Sequence, residues 1–153
     1  MTDHVEARFE VKAPAGVIWA ALADSRGWPT WSPNDSAELV REGDPAPDGV
    51  GAIRIFRTGR ITVREEIVAF EPERRVAYRL LAGLPVEDYQ GEVMLTPSTD
   101  DPGVTVLVWG STWRPRYPLT GWALRLGFQQ VVKRWGAALA HHAEAVAAGR
   151  PAE

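Results

Sequence analysis

Between residues 51 and 113 the sequence repeats one pattern, a short alternating apolar and polar run followed by a tight connector. The runs are AIRIFR, ITVREEIVAF, RVAYRLL, EDYQGEVMLT and VTVLVWGSTW, and the connectors are TG, EPER, AGLPV and PSTDDPG. Runs of this length, joined by a few Gly, Pro and polar residues, predict an antiparallel meander of hairpins. Such a sheet has an apolar face that something must cover. The chain offers one element long enough, a helical pattern over residues 119–147. In it Leu124, Phe128, Val131, Trp135, Leu139, His142 and Val146 recur at spacings of three and four. One helix does not fill a strongly twisted sheet along its whole length, so a cavity between them is expected.

The remaining segments complete the order. HVEARFEVKAP alternates Val5, Ala7, Phe9 and Val11 with charged residues and predicts a half-buried strand. APAGVIWAALAD predicts a short helix with Pro14 in its first turn and an apolar side of Val17, Trp19, Leu22 and Ala23. GWPTWSPND cannot continue a long helix past Pro29 and Pro33. SAELVRE predicts a further strand and GDPAPDGVG a loop. The expected fold is α+β: a seven-stranded antiparallel sheet wrapped around a long C-terminal helix, with two short helices after the first strand. One domain over 1–149 and a frayed tail at 150–153 are expected.

Composition narrows the function. The chain has 153 residues, 45% hydrophobic and 24% charged, and a formal net charge of −3. That balance gives no basic footprint for nucleic acid. With no cysteine there is no disulfide framework, thiol nucleophile or thiolate metal site. No HExxH, EF-hand, GxGxxG or Walker pattern occurs, so neither a metal nor any other cofactor is assigned. MTDHVEARFEV lacks an apolar h-region and no run reaches the length of a membrane span. A cytoplasmic protein is expected.

The stretches APAGVIWAALAD, GWPTWSP, REEIVAFEPERRVAYRL, YQGEVMLTP and TWRPRYP resemble the START-like (SRPBCC) superfamily of helix-grip proteins, with its Bet v 1-like and polyketide cyclase/dehydrase-like members. The resemblance spans nearly the whole chain and rests on structural landmarks. It implies the fold and a cavity for a hydrophobic, lipid-like ligand, and no single reaction.

Hairpin arithmetic assigns the sheet faces independently. If Thr58 and Gly59 form a two-residue turn, Phe56 opposes Ile61 and Arg54 opposes Val63. Phe56, Ile61, Val63 and Ile67 then share the inner face, with Arg54 and Glu65 on it diagonally. If EPER is a four-residue loop, Ile67 meets Tyr78 and Glu65 meets Leu80, so Val76 points inward too. In the last hairpin Tyr89, Val93 and Leu95 face Thr105, Leu107, Trp109 and Ser111. That register sets Trp109 opposite Gly91, whose missing side chain leaves room for the indole.

A charge on an apolar face is costly unless paired, so Arg54 and Glu65 are expected to neutralise each other. They form either a structural pair or a working one, with Glu65 as general base and Arg54 as oxyanion anchor. Glu66 replaces Glu65 if the register slips by one. Tyr78 and Tyr89 are core rings that as a pair can position a ligand hydroxyl or carbonyl. Trp31 is expected at the cavity mouth and Trp28 in the packing beside it. Leu124 and Phe128 face the ligand from the helix. His142 is expected to be a satisfied core histidine. Trp122 and Leu126, on the opposite helix side, are a candidate homodimer surface.

Three functions remain open. The first is a binding module whose ligand wall comprises Trp31, Arg54, Phe56, Val63, Glu65, Tyr78, Leu80, Tyr89, Leu107, Trp109, Ser111, Leu124 and Phe128. The second is a cyclase, aromatase or dehydratase using Glu65, Tyr78 or Arg54 in the same cavity. The third is an interaction subunit without ligand.

Overall fold

A computed structural model describes residues 2–149; the expected frayed tail at 150–153 lies outside them. The elements are β1 (Asp3–Val11), α1 (Ala15–Ala23), a 3-10 segment (Ser25–Thr30), β2 (Ser36–Arg41), β3 (Ile53–Thr58), β4 (Ile61–Glu71), β5 (Arg75–Ala82), β6 (Val86–Pro97), β7 (Thr105–Pro115) and α2 (Gly121–Ala147). All seven strands form one antiparallel sheet in the order β1-β7-β6-β5-β4-β3-β2. The sheet grips α2, which lies against β1, β7 and α1. This is the helix-grip architecture that the alternating runs and single long helix predict. No helix among the described residues is long and apolar enough to cross a membrane.

The hairpin faces follow the sequence, while the pairings inside them differ in two places. In β3–β4, Thr58 pairs with Ile61 and the loop is Gly59-Arg60. Gly59 at the first central position takes φ +58°, a conformation that glycine adopts without steric cost. The partners are therefore shifted by two residues from the expected set: Phe56 opposes Val63, and Arg54 opposes Glu65 directly. A shift of two conserves the side-chain face, so the inward set is unchanged. The same happens in β6–β7, where Trp109 opposes Val93 and Gly91 opposes Ser111. The space over Gly91 is taken by a different ring. A Cβ there would overlap Tyr78, its neighbour on β5.

In β4–β5 two irregularities cancel. Glu71 pairs with Arg75 across a three-residue loop in which Glu73 takes φ +63°. A register shift between Ile67 and Ala69 then restores the expected pairs Ile67–Tyr78 and Glu65–Leu80.

The helices depart from their expected faces. In α1 the buried side chains are Ile18 and Leu22, one turn apart. Trp19 is half-buried, edge-on to Phe70 at 5.1 Å. In α2 the buried set is Phe128, Val132, Gly136, Leu139, Ala143 and Ala145. Leu124, Val131, Trp135 and His142 are half-buried, and Val146 is 44% exposed. The reason is size. The helix meets β1 through small residues, and a Cβ on Gly136 would overlap the Phe9 ring. The stripe of large side chains is thereby rotated toward the flank, where Val131 and Trp135 border open space.

Candidate functional site

Between the sheet and α2 lies a cavity of about 260 Å³. On the sheet side its wall is made by Phe56, Val63, Glu65, Tyr78, Tyr89 and Trp109, which alternate with outward residues on β3 to β7. Phe128, Val131 and Trp135 close it from α2. Ile61, Thr58, Leu84, Asn34 and Arg134 complete the lining.

The deep polar cluster is built on adjacent strands. Arg54 Nε donates to Glu65 Oε1 at 3.1 Å, and Arg54 is only 2% exposed. Its guanidinium stands 4.7 Å from the Trp28 ring centroid and 4.9 Å from those of Phe56 and Tyr78. Three π faces thus share the charge with one carboxylate. Arg54 Nη2 is buried without a hydrogen-bond partner. Burial raises the pKa of the Glu65 carboxyl, and the opposing charge and hydrogen bond of Arg54 only partly offset this.

Two tyrosines adjoin that pair. Trp109 Nε1 donates to Tyr78 Oη at 3.0 Å. Burial pushes the Tyr78 hydroxyl well above the usual phenol range, and Tyr89 up to about 12, with the nearby Glu65 charge acting in the same direction. Both hydroxyls keep their protons at neutral pH and are present as O–H groups.

At the mouth, Trp135 Nε1 donates to Asn34 Oδ1 at 3.0 Å. Ser32 Oγ donates to the same oxygen at 2.7 Å, and Asn34 Nδ2 donates to Thr58 Oγ1 at 2.9 Å. Asn34 therefore ties α2 to the β3–β4 turn across the opening.

Of the expected ligand wall, Phe56, Val63, Glu65, Tyr78, Tyr89, Trp109 and Phe128 line the cavity. Arg54 lies one layer behind it. Leu80, Leu107, Ser111 and Leu124 are outside the lining; Leu107 is fully buried core, and Ser111 Oγ is buried without a partner. The two tryptophans of GWPTWSPND exchange their expected places. Trp28 forms part of the cavity wall, stacked on Phe56 at 4.7 Å, with its Nε1 donating to Leu22 O. Trp31 packs behind it at 5.1 Å and faces an outer groove shared with α1 and the end of α2. The hydrogen bond to Leu22 turns Trp28 inward, and no sequence pattern foretells it. His142 borders the same groove, half-buried, with Nδ1 buried and unpartnered, so it is not a satisfied histidine. Asn34, Thr58, Leu84 and Arg134 are the cavity residues that the sequence analysis does not assign to it. Asn34 lies in the GWPTWSPND stretch whose tryptophans drew attention, whereas Arg134 carries no signal.

Sheet, gripped helix and the largely apolar cavity between them define a START-like, helix-grip domain. The chain belongs to the polyketide cyclase / dehydrase and lipid transport family, whose model matches residues 2–147. Among solved structures it is similar to the Zhui aromatase/cyclase from Streptomyces sp. R1128, at 26% identity and TM-score 0.76, covering 99% of this chain and 100% of the other. A START superfamily protein from Mycobacterium smegmatis shares the fold at TM-score 0.80 and 14% identity, covering 94% and 98% of the two chains. The protein XoxI from Bacillus cereus does so at TM-score 0.76 and 17% identity, covering 90% and 93%. Comparison with curated proteins finds no match.

Proposed function

We propose that the chain binds a small hydrophobic or aromatic molecule in the cavity between sheet and α2. The observation that carries this is the lining itself: aromatic and aliphatic side chains around most of the cavity, with Glu65, Tyr78 and Tyr89 converging at one end. An apolar body satisfies the walls, and a ligand carbonyl or hydroxyl satisfies the O–H groups. The neutral dye N-phenyl-1-naphthylamine tests it. Saturable one-to-one binding to the native protein is expected, with emission shifted to the blue, and Val131→Trp should fill the space and abolish it. Dye taken up only on partial unfolding, or equally by the filled variant, overturns the reading.

A second reading has support of its own. The similarity to an aromatase/cyclase extends over the full chain at 26% identity, and a buried carboxyl of raised pKa beside two tyrosines suits proton transfer. In this reading Glu65 moves the proton, while Tyr78 and Arg54 orient and stabilise the charge that develops. Ligand binding that survives Glu65→Gln while turnover of a poly-β-ketone chain is lost would favour it over simple binding. Trp122 and Leu126 are 71% and 63% exposed on α2. A homodimer through them remains a proposal that sedimentation of wild type and Trp122→Ser decides.

A further inference from the structure

We propose that the ligand is an organic anion, its apolar body in the cavity and its acidic group held at the mouth by Arg134. This rests on the ligand-binding reading above and goes on to assign the charge of the bound molecule. The lining contains two formally charged side chains, Glu65 at the deep end and Arg134 at the opening. The Glu65 charge is met by Arg54 directly behind it. Arg134 has no such counterpart: none of the salt bridges among the described residues involves it.

The sequence around Arg134 explains why. Between Asp101 and Glu144 the chain has no acidic residue at all. The helix neighbours that can reach Arg134, at three and four residues either way, are Gln130, Val131, Ala137 and Ala138. Across the opening stand Asn34, Thr58, Ile61 and Leu84, again without a carboxylate. Asp35, next to Asn34, is engaged by the backbone N–H of Gly59 at 2.7 Å.

Arg134 also stands on a fixed base. Its guanidinium lies 5.8 Å from the ring centroid of Trp135, and that ring is pinned by its hydrogen bond to Asn34. A cation at the edge of a low-dielectric hollow, with the inner charges balanced, gives the cavity a positive potential that favours an entering anion. A guanidinium suits a planar carboxylate or a phosphate ester, and either can accept two of its hydrogen bonds.

Two dyes of one skeleton test this. N-phenyl-1-naphthylamine is neutral, and 1-anilinonaphthalene-8-sulfonate is the same molecule bearing a sulfonate. Arg134→Gln should weaken the sulfonate about tenfold, the order of one charge-assisted hydrogen bond, and leave the neutral dye within about twofold. Arg134→Lys should restore part of the loss, and added salt should weaken only the sulfonate. Equal loss for both dyes, or none for the sulfonate, overturns the proposal. So does sulfonate binding that survives Val131→Trp, because it then lies outside the cavity. If the neutral dye fails to bind wild type, the ligand-binding reading itself falls. Displacement of the neutral dye by 2-naphthoate or 2-naphthyl phosphate, against 2-naphthol, separates a carboxylate from a phosphate ester. Either anion outcompeting naphthol only while Arg134 is present supports the assignment; naphthol matching both overturns it.

Discussion

Glu65 and Glu66 are consecutive on β4, yet they live in different solvents. The pleat sends Glu65 to the inner face, where it meets one arginine, Arg54, in a buried site. Glu66 points outward to two arginines, with Arg79 Nε donating to it at 2.7 Å and Arg41 Nη2 at 3.0 Å. Their pKa values move in opposite directions. Loss of hydration raises Glu65 despite its partner. The hydrogen bond from Arg79 holds Glu66 below the usual carboxylate range. One peptide unit thus separates a carboxyl held dry against one arginine from one paired with two on the outer face. An ion pair, taken alone, does not tell which is which; burial does.

The largest effect should come from breaking the inner pair. Arg54→Met leaves a carboxyl buried without its cation and should cost about 3–5 kcal/mol in urea unfolding. Arg54→Met/Glu65→Leu should recover most of that loss, because no charge is then stranded. Simple additivity in this double-mutant cycle would show that the two side chains do not act as one unit.

A smaller contrast lies on β5, whose Tyr78 and Arg79 divide between the same two faces. Tyr78→Phe removes the acceptor for the buried Trp109 N–H and should cost about 1–3 kcal/mol. Arg79→Gln breaks an exposed pair and should stay within about 1 kcal/mol, fading with salt. Equal costs would erase the distinction between the faces.

The finest test is the pH dependence of stability. Glu65 has a folded pKa above 4.5, so the folded state holds that proton more tightly than the unfolded chain. Its contribution is complete below pH 4.5 and declines as pH rises through the raised value. Glu66 runs the other way, being complete above pH 4.5 and lost as pH falls through its depressed value. Each slope is at most about 1.4 kcal/mol per pH unit. Glu65→Gln should flatten the curve above pH 4.5, and Glu66→Gln below it. Urea titrations between about pH 3 and 8 read both slopes, and a Glu66→Gln variant that flattened the upper region would reverse the assignment.

Much of this was legible in the chain. The period of two along residues 51–113 sorts inner from outer residues, and that sorting survives because both hairpins that differ from expectation do so by two residues. Parity is a local property, set by the pleat and by the need to bury apolar side chains on one face. It placed Arg54 and Glu65 inside and Glu66 outside before any partner was known. The spacing along residues 119–147 likewise determined that one long helix covers the sheet.

Tertiary structure decided what depends on distance between segments remote in sequence. Whether Arg54 meets Glu65 squarely or diagonally turns on a single position of the β3–β4 loop. The tenant of the space over Gly91 is Tyr78 from the next strand, where the expected register put Trp109 from the other side. Trp28 lines the cavity in place of Trp31 because its indole N–H finds Leu22 O, a contact that no periodicity encodes. The face of α2 was set by small residues, Gly136 and Ala143, which pattern reading weighs least because it counts large apolar side chains. Arg134 has the same origin. An arginine on a helix flank looks like any solvated charge until the fold brings a cavity mouth to it and no carboxylate with it.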